Sequence, residues 1–415
     1  MFLAGNGTLA ITVDTNQFAH LADSIADQTG SGGTGSTAGS WSLEKYGTGT
    51  LYLTGDNSYS GGTIIHEGRL AAYAATTDAA YPGSIDGNVL NNAELWFIQD
   101  IDGTFSGTIS GTGSVIKTGA GSLALTGNNS FTGTLSVQEG TLLFETNANL
   151  NQDGSTILLS GGSIGFAAGN GQVSNRDLSI NGTGGIYIGS GSATWSGTIS
   201  GLGALVVSGG GAVELTADNT YTGGTRIEGG HVLFTTDSNL GAAGAGVQLS
   251  GGTIETTKDA AAPLTIDRTI YLTGYGTISV GRNPLVWAGD ISGDGTLHKS
   301  GDGVLQLTGN NSYTGGTYIQ RGELQISSDS QLGAAGTDIT MQAGGLIRST
   351  EDIRIDRPIF FFEGGGGFHV EDGKTIVLGG EITTYNMYTA ALTLVGTGTL
   401  VLDLESQPVF ATLNN

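Results

Sequence analysis

Along most of the chain, apolar and polar residues alternate in short runs such as Leu51-Tyr52-Leu53 and Leu123-Ala124-Leu125. Alternation sends every second side chain to one face, so each run predicts a half-buried strand. Gly-Gly-Thr and Gly-x-Gly stand between the runs, at corners where a positive φ or a close backbone approach penalises a Cβ. Near the start, Phe18, Leu21 and Ile25 share one face of a helix. Asn16 to Asp27 is therefore read either as a capping helix or as an ordinary first coil.

The runs recur as a long unit. One copy reads Leu43, Lys45, Gly47, Gly49, Leu51, Leu53, Thr54, Gly55, Asn57, Tyr59, Gly61, Gly62, Thr63, Ile65, Gly68, Leu70. A second carries Lys117, Thr126, Asn129, Phe131 and Gly140; a third has Val207 for the lysine but keeps Thr216, Asn219, Tyr221 and Thr225. The fourth runs from Leu297 and Lys299 through Asn311, Tyr313 and Thr317 to Leu324, and a fifth start at Leu392 breaks off after Leu402. The threonines Thr54, Thr126, Thr216 and Thr308 lie 72, 90 and 92 residues apart. A coil of three short strands and three turns needs roughly 22 residues, so the intervals read as about three, four and four whole coils. Other motifs repeat inside them: Arg176, Arg268 and Arg357 open matching stretches 92 and 89 residues apart.

Stacked coils predict internal ladders of Leu, Ile and Val, with Asn57, Asn129, Asn219 and Asn311 at turns, bonding local backbone or an adjacent coil. The fold class is all-β: a right-handed single-stranded parallel β-helix, or β-solenoid, of roughly 19 coils. Residues 1–40 form a cap or first coils, 41–402 the repeat β-helix, and 403–415 a C-terminal end.

Composition narrows the function. The chain has 415 residues, no cysteine, five prolines and 75 glycines, which excludes a disulfide scaffold. Lys and Arg total 14 against 37 Asp and Glu, a net charge of −23. Such a surface repels phosphate backbones and anionic headgroups, so neither nucleic acid nor direct membrane insertion is expected. Lack of cysteine fits export through an oxidising compartment. Met1 to Gly5 has neither the basic nor the apolar region of a signal peptide, so Met1 is read as the start of a cut-out fragment.

The pattern Lys-x-Gly-x-Gly-x-Leu-x-Leu-Thr-Gly-x-Asn-x-Tyr-x-Gly-Gly-Thr-x-Ile-x-x-Gly-x-Leu, matched almost throughout by residues 45–70 and 299–324, resembles the passenger-associated transport repeat of type V autotransporters. Ile25 to Gly33 also resembles the leaders of such repeats. The resemblance implies an extracellular passenger, on the bacterial surface or secreted, carried across the outer membrane by its own C-terminal β-barrel. Nothing after residue 402 supplies the strands of such a barrel. It further implies an adhesin or self-association protein whose partners are host surface or matrix molecules, glycans or identical passengers on neighbouring cells. The alternative is a stalk that aids secretion and displays an N-terminal effector such as a protease.

The sequence assigns no catalytic residues. No Gly-x-Ser-x-Gly elbow has a strand-turn-helix context, and His20, His66, His231, His298 and His369 lack metal-ligand spacing. Asp100 with Asp102, and Glu351 and Asp352 with Asp356, are carboxylate pairs of the kind that stacked outward residues produce freely. No cofactor and no metal are expected, and the chain is read as a non-enzyme. Arg348 to Arg357 concentrates charge in a charge-poor chain and reads as an outward salt-bridged ladder. Phe360-Phe361-Phe362 follows, at least one ring facing out, so the contact candidates are Arg348, Arg354, Arg357 and Phe361.

Overall fold

The computed structural model describes all residues except 35–37, 75–84, 167–169, 258–261, 386–390, 404–412 and 415. Among the described residues the chain is an all-β parallel solenoid of about 18 turns, with short 3-10 turns at Asn147–Asn149, Asp237–Leu240 and Asp329–Leu332 and no α-helix. It forms two compact units, Met1–Val206 and Val207–Asn415.

In the first unit, Gly7–Thr12, Trp41–Tyr46, Thr63–Ile65, Val89–Asn91 and Ile109–Ser110 build one parallel ladder. The next face starts at Phe18–Leu21 and Thr50–Leu53 and climbs to Ile199–Gly201. A third runs from Gly103–Phe105 through Ser122–Leu125, Thr141–Phe144 and Ser163–Phe166 to Thr183–Ile188. The inward row Leu51, Leu70, Leu95, Val115, Leu135, Ile157, Leu178, Ile199 stacks turn upon turn with no member more than 1% exposed. Each such side chain contributes about 1.5–3 kcal/mol by burial, which is what holds short strands of three to six residues in place.

The helical reading of Asn16 to Asp27 is overturned. Phe18–Leu21 is a strand, paired Phe18 with Thr50 and Leu21 with Leu53. Its backbone finds partners on the neighbouring turn, and that outweighs a helical spacing of three apolar residues, one of which, Phe18, faces solvent at 69% exposure.

In the second unit, Ala212–Leu215, His231–Phe234, Thr253–Thr256, Tyr275–Val280 and Thr296–Ser300 make one ladder that continues through Thr317–Ile319, Ile339–Met341 and Ile359–Phe361 to Ile382–Thr384. Another rises from Leu264–Ile266 through Gly345–Ser349 and Gly366–Val370 to Leu413–Asn414. A third face carries Thr225–Glu228, Val247–Ser250, Ile270–Thr273 and Ile291–Gly293.

Copies of the long repeat are not separated by whole turns, as the intervals had suggested. Leu53 pairs with Ala72, Ala72 with Phe97 and Phe97 with Lys117. Lys117 therefore sits three turns above Leu53, and Leu53 lies one face beyond Lys45. In the second unit Val213, on the strand after Val207, leads through Val232, Ile254 and Ile278 to Lys299, four turns up. The interval is thus three or four turns plus one face. The difference of one turn was legible from spacing. The extra face was not, because all faces accept the same inward alternation.

Candidate functional site

The residues that make the repeat recognisable point inward. Lys45, Lys117 and Lys299 have no solvent exposure. Lys299 Nζ donates to the carbonyls of Ser300 (2.7 Å), Gly301 (2.7 Å) and Arg321 (3.0 Å), and Lys45 and Lys117 make the equivalent sets. Three N–H groups meet three carbonyls, so the ammonium is satisfied without a carboxylate. Burial lowers Lys117 and Lys299 to about 8, against which nearby carboxylates, Glu139 and Asp302 foremost, act only partly. Gly301 supplies its carbonyl from a left-handed conformation (φ 74°), where a Cβ would stand 2.2 Å from the Val280 oxygen.

Asparagines brace successive turns, as expected of them. Asn311 Oδ1 accepts from Ile291 N at 2.9 Å while its Nδ2 donates to the Gln331 carbonyl at 2.6 Å. Asn129 does the same between Ile109 and Asn149. Asp27, also buried, accepts from the amides of Gly30, Trp41 and Ser60. Burial would push its carboxyl up, but these bonds and the Ser60 hydroxyl hold it below the usual range.

Two of the four contact candidates are buried. Arg357 is 1% exposed. Its Nε reaches Asp329 Oδ1 at 2.8 Å, and its two terminal nitrogens take the carbonyls of Asp329, Leu332, Gly333 and Ala334. Arg268 repeats this in the Asp237–Ala245 loop, and Arg176 does so on Asn151, Gln152 and Ser155. Each guanidinium organises a loop one turn away, its terminal nitrogens on carbonyl oxygens of that loop and, in Arg268 and Arg357, its Nε on an aspartate carboxylate. The signal was present in sequence: Asp237-Ser-Asn-Leu-Gly-Ala-Ala-Gly and Asp329-Ser-Gln-Leu-Gly-Ala-Ala-Gly each precede one of these arginines. Phe361 is likewise 1% exposed, the inward member of its strand, while Phe360 and Phe362 are half-buried and border the exposed Tyr385 ring.

Arg348 and Arg354 face outward, in ion pairs. Arg348 Nε bonds Glu371 at 2.8 Å, with Glu323 at 3.4 Å, and holds the Glu371 carboxyl below its usual range. Arg354 joins Asp356 (2.8 Å) and Asp403 (2.7 Å), and the Asp403 bond raises it. The ladder is therefore salt-bridged at Arg348 and Arg354 and interior at Arg357.

Carboxylates singled out in sequence serve turns. Asp102 Oδ1 accepts from Ser122 N at 2.8 Å and Asp352 Oδ1 from Thr375 N at 2.7 Å, while Glu351 takes Lys374 Nζ at 2.8 Å. The histidines stack or pair on the outer faces: His20 on Tyr52, His66 on Tyr46, His298 between Tyr275 and Tyr318, His231 beside Glu255 and His369 beside Glu323. Among the described residues no group of three or more His, Cys, Asp or Glu is placed to hold a metal ion.

The passenger-associated-transport-repeat family model matches residues 43–72, 115–144, 205–233 and 293–326. Over 153 residues, 36% of its length, the chain is 35% identical to the adhesin BmaC autotransporter of Brucella suis biovar 1 (strain 1330). Over 61 residues, 15% of its length, it is 38% identical to an extracellular serine protease of Serratia marcescens. These matches span only 4% and 5% of the two relatives. No solved structure matches. The chain therefore carries passenger-associated transport repeats in an autotransporter passenger-like β-helix, and part of it is distantly homologous to an adhesin.

Proposed function

We propose that the chain is a surface-exposed or secreted passenger that acts in adhesion or self-association. The observation that carries this reading is the 35% identity over 153 residues to an adhesin. The placement of polar groups adds support: the buried lysines, arginines and asparagines are consumed by bonds between turns, which leaves the outward faces for many weak, repeated contacts. The reading assigns the chain no reaction and no cofactor. Its partners are host surface or matrix molecules, glycans or identical passengers, besides the outer-membrane barrel that would export it. Purified chain coupled to beads should bind host cells or matrix, or clump the beads. Beads that do neither sink the proposal.

A second reading has its own support in the match to an extracellular serine protease. Here the solenoid is a stalk that aids secretion and displays an effector domain encoded upstream. Such a stalk would leave bead adhesion at background, and fusing it beneath a reporter protease should raise the amount of active reporter at the cell surface.

A further inference from the structure

The second unit carries an outward row of four side chains on consecutive turns: Arg226 pairs with Gln248, Gln248 with Tyr271 and Tyr271 with Ser292. They line a cleft of about 420 Å³. Its lip at Gly223, Gly224 and Gly246 bears no side chains. Gly224 holds φ at +85°, and a Cβ there would lie 2.7 Å from the Gly246 oxygen, so tight stacking of the turns keeps that edge bare.

Arg226 is unusual among the cations. Lys45, Lys117, Lys299, Arg176, Arg268 and Arg357 are buried, and Arg69, Arg321, Arg348, Arg354 and Lys374 are in ion pairs. Arg226 is exposed and, like Arg282, has no ion pair among the described residues, in a chain of net charge −23; of these two it is Arg226 that lines the cleft. Glu228, the next outward residue on its strand, is not part of the cleft lining. Tyr271, two turns away, is 52% exposed and also lines the cleft.

We infer that this cleft binds a glycan bearing an isolated carboxylate, a sialylated or uronic acid oligosaccharide. The guanidinium of Arg226 takes the carboxylate through two parallel N–H donors. The Tyr271 ring packs against the apolar face of a pyranose, and Gln248 and Ser292 supply donors and acceptors for hydroxyl groups. Turns about 4.8 Å apart place successive contacts near the length of one sugar ring. The acidity of the chain selects against densely charged polymers such as sulfated glycans. This deepens the adhesion reading by naming a ligand class.

Titration calorimetry of the full chain with sialyllactose, tri-galacturonate and lactose tests it. At least one acidic probe should bind and lactose should not; which acidic probe binds identifies sialate or uronate. Arg226→Gln should weaken binding about tenfold or more and Tyr271→Ala should weaken it as well, both with unchanged circular dichroism, while Arg282→Gln binds like the parent. Failure of both acidic probes, equal binding of lactose, or an Arg226→Gln variant that binds like the parent overturns the inference. Bead adhesion that survives Arg226→Gln unchanged removes the cleft and spares the adhesion reading. A chain that binds an acidic probe yet adheres to nothing does the reverse.

Discussion

Tyr313 has no solvent exposure, and its hydroxyl lies 2.6 Å from Thr317 Oγ1, which in turn reaches the Leu332 carbonyl at 3.2 Å. Burial raises the tyrosine hydroxyl well above its usual range, so it stays protonated and donates along this chain. In the second copy Phe131 and Leu135 stand at the corresponding positions, and both hydroxyls are gone together. Thr317→Val should therefore cost about 1–3 kcal/mol, because a buried donor loses its acceptor, and Tyr313→Phe about 1 kcal/mol. The double variant should cost less than the two together, as denaturant midpoints would show. Arg176 offers the opposite case. Its Nε has no partner, and Asn147 stands where Asp237 and Asp329 meet the Nε of Arg268 and Arg357. Asn147→Asp should stabilise the first unit by about 1 kcal/mol in the same measurement. The lysines carry a pH signature. With Lys117 lowered to about 8 in the fold, the unfolded chain holds the extra proton between about pH 8 and its ordinary value near 10.4. Stability relative to Lys117→Met should rise with pH across that window and stay flat below it. A difference that falls there would contradict a buried, desolvated ammonium.

At the scale of the element, one turn is the unit that can be removed. Val89 pairs with Ile109 and Leu95 with Val115, so deleting 89–108 joins Asn88 to Ile109 and returns every strand to its row. Deleting only 89–98 removes half a turn, so the strands that follow meet rows half a turn away from their own and corner glycines fall against strands. The first deletion should keep the strand signal in circular dichroism and a cooperative melt, and the second should abolish the melt. Much of this was legible beforehand. Alternation located strands such as Thr50–Leu53 and Ser122–Leu125, and glycine pairs located corners. Phe18–Leu21 reads equally well as part of a capping helix or as a first coil, since its strand character comes from the turn it pairs with and not from its own residues.

For the whole molecule, charge is the leading quantity. Six of the cations among the described residues are interior, so the outward surface is more acidic than the net charge of −23 conveys. Copies should repel at neutral pH and low salt. If self-association is the function, light scattering should detect it only as salt screens the faces or as carboxylates protonate towards pH 4. Association that instead weakens steadily with salt would point to specific ion pairs between copies.

Alternation, glycine corners and the recurring long unit were enough, in the sequence alone, to determine strands, parallel stacking and the repeat family, because those features are local or periodic. Tertiary structure decided which side faces in where the alternation is ambiguous. One position of parity separates the buried Phe361 from the outward Phe360, and the reach of a guanidinium to an earlier loop takes Arg357 out of the surface. It also brought Arg226 and Tyr271 into one cleft: they are 45 residues apart in the chain and two turns apart in space. Inward positions are set by packing that repeats in every turn. Outward positions carry no such constraint, so their neighbours become known only when the register between turns is known.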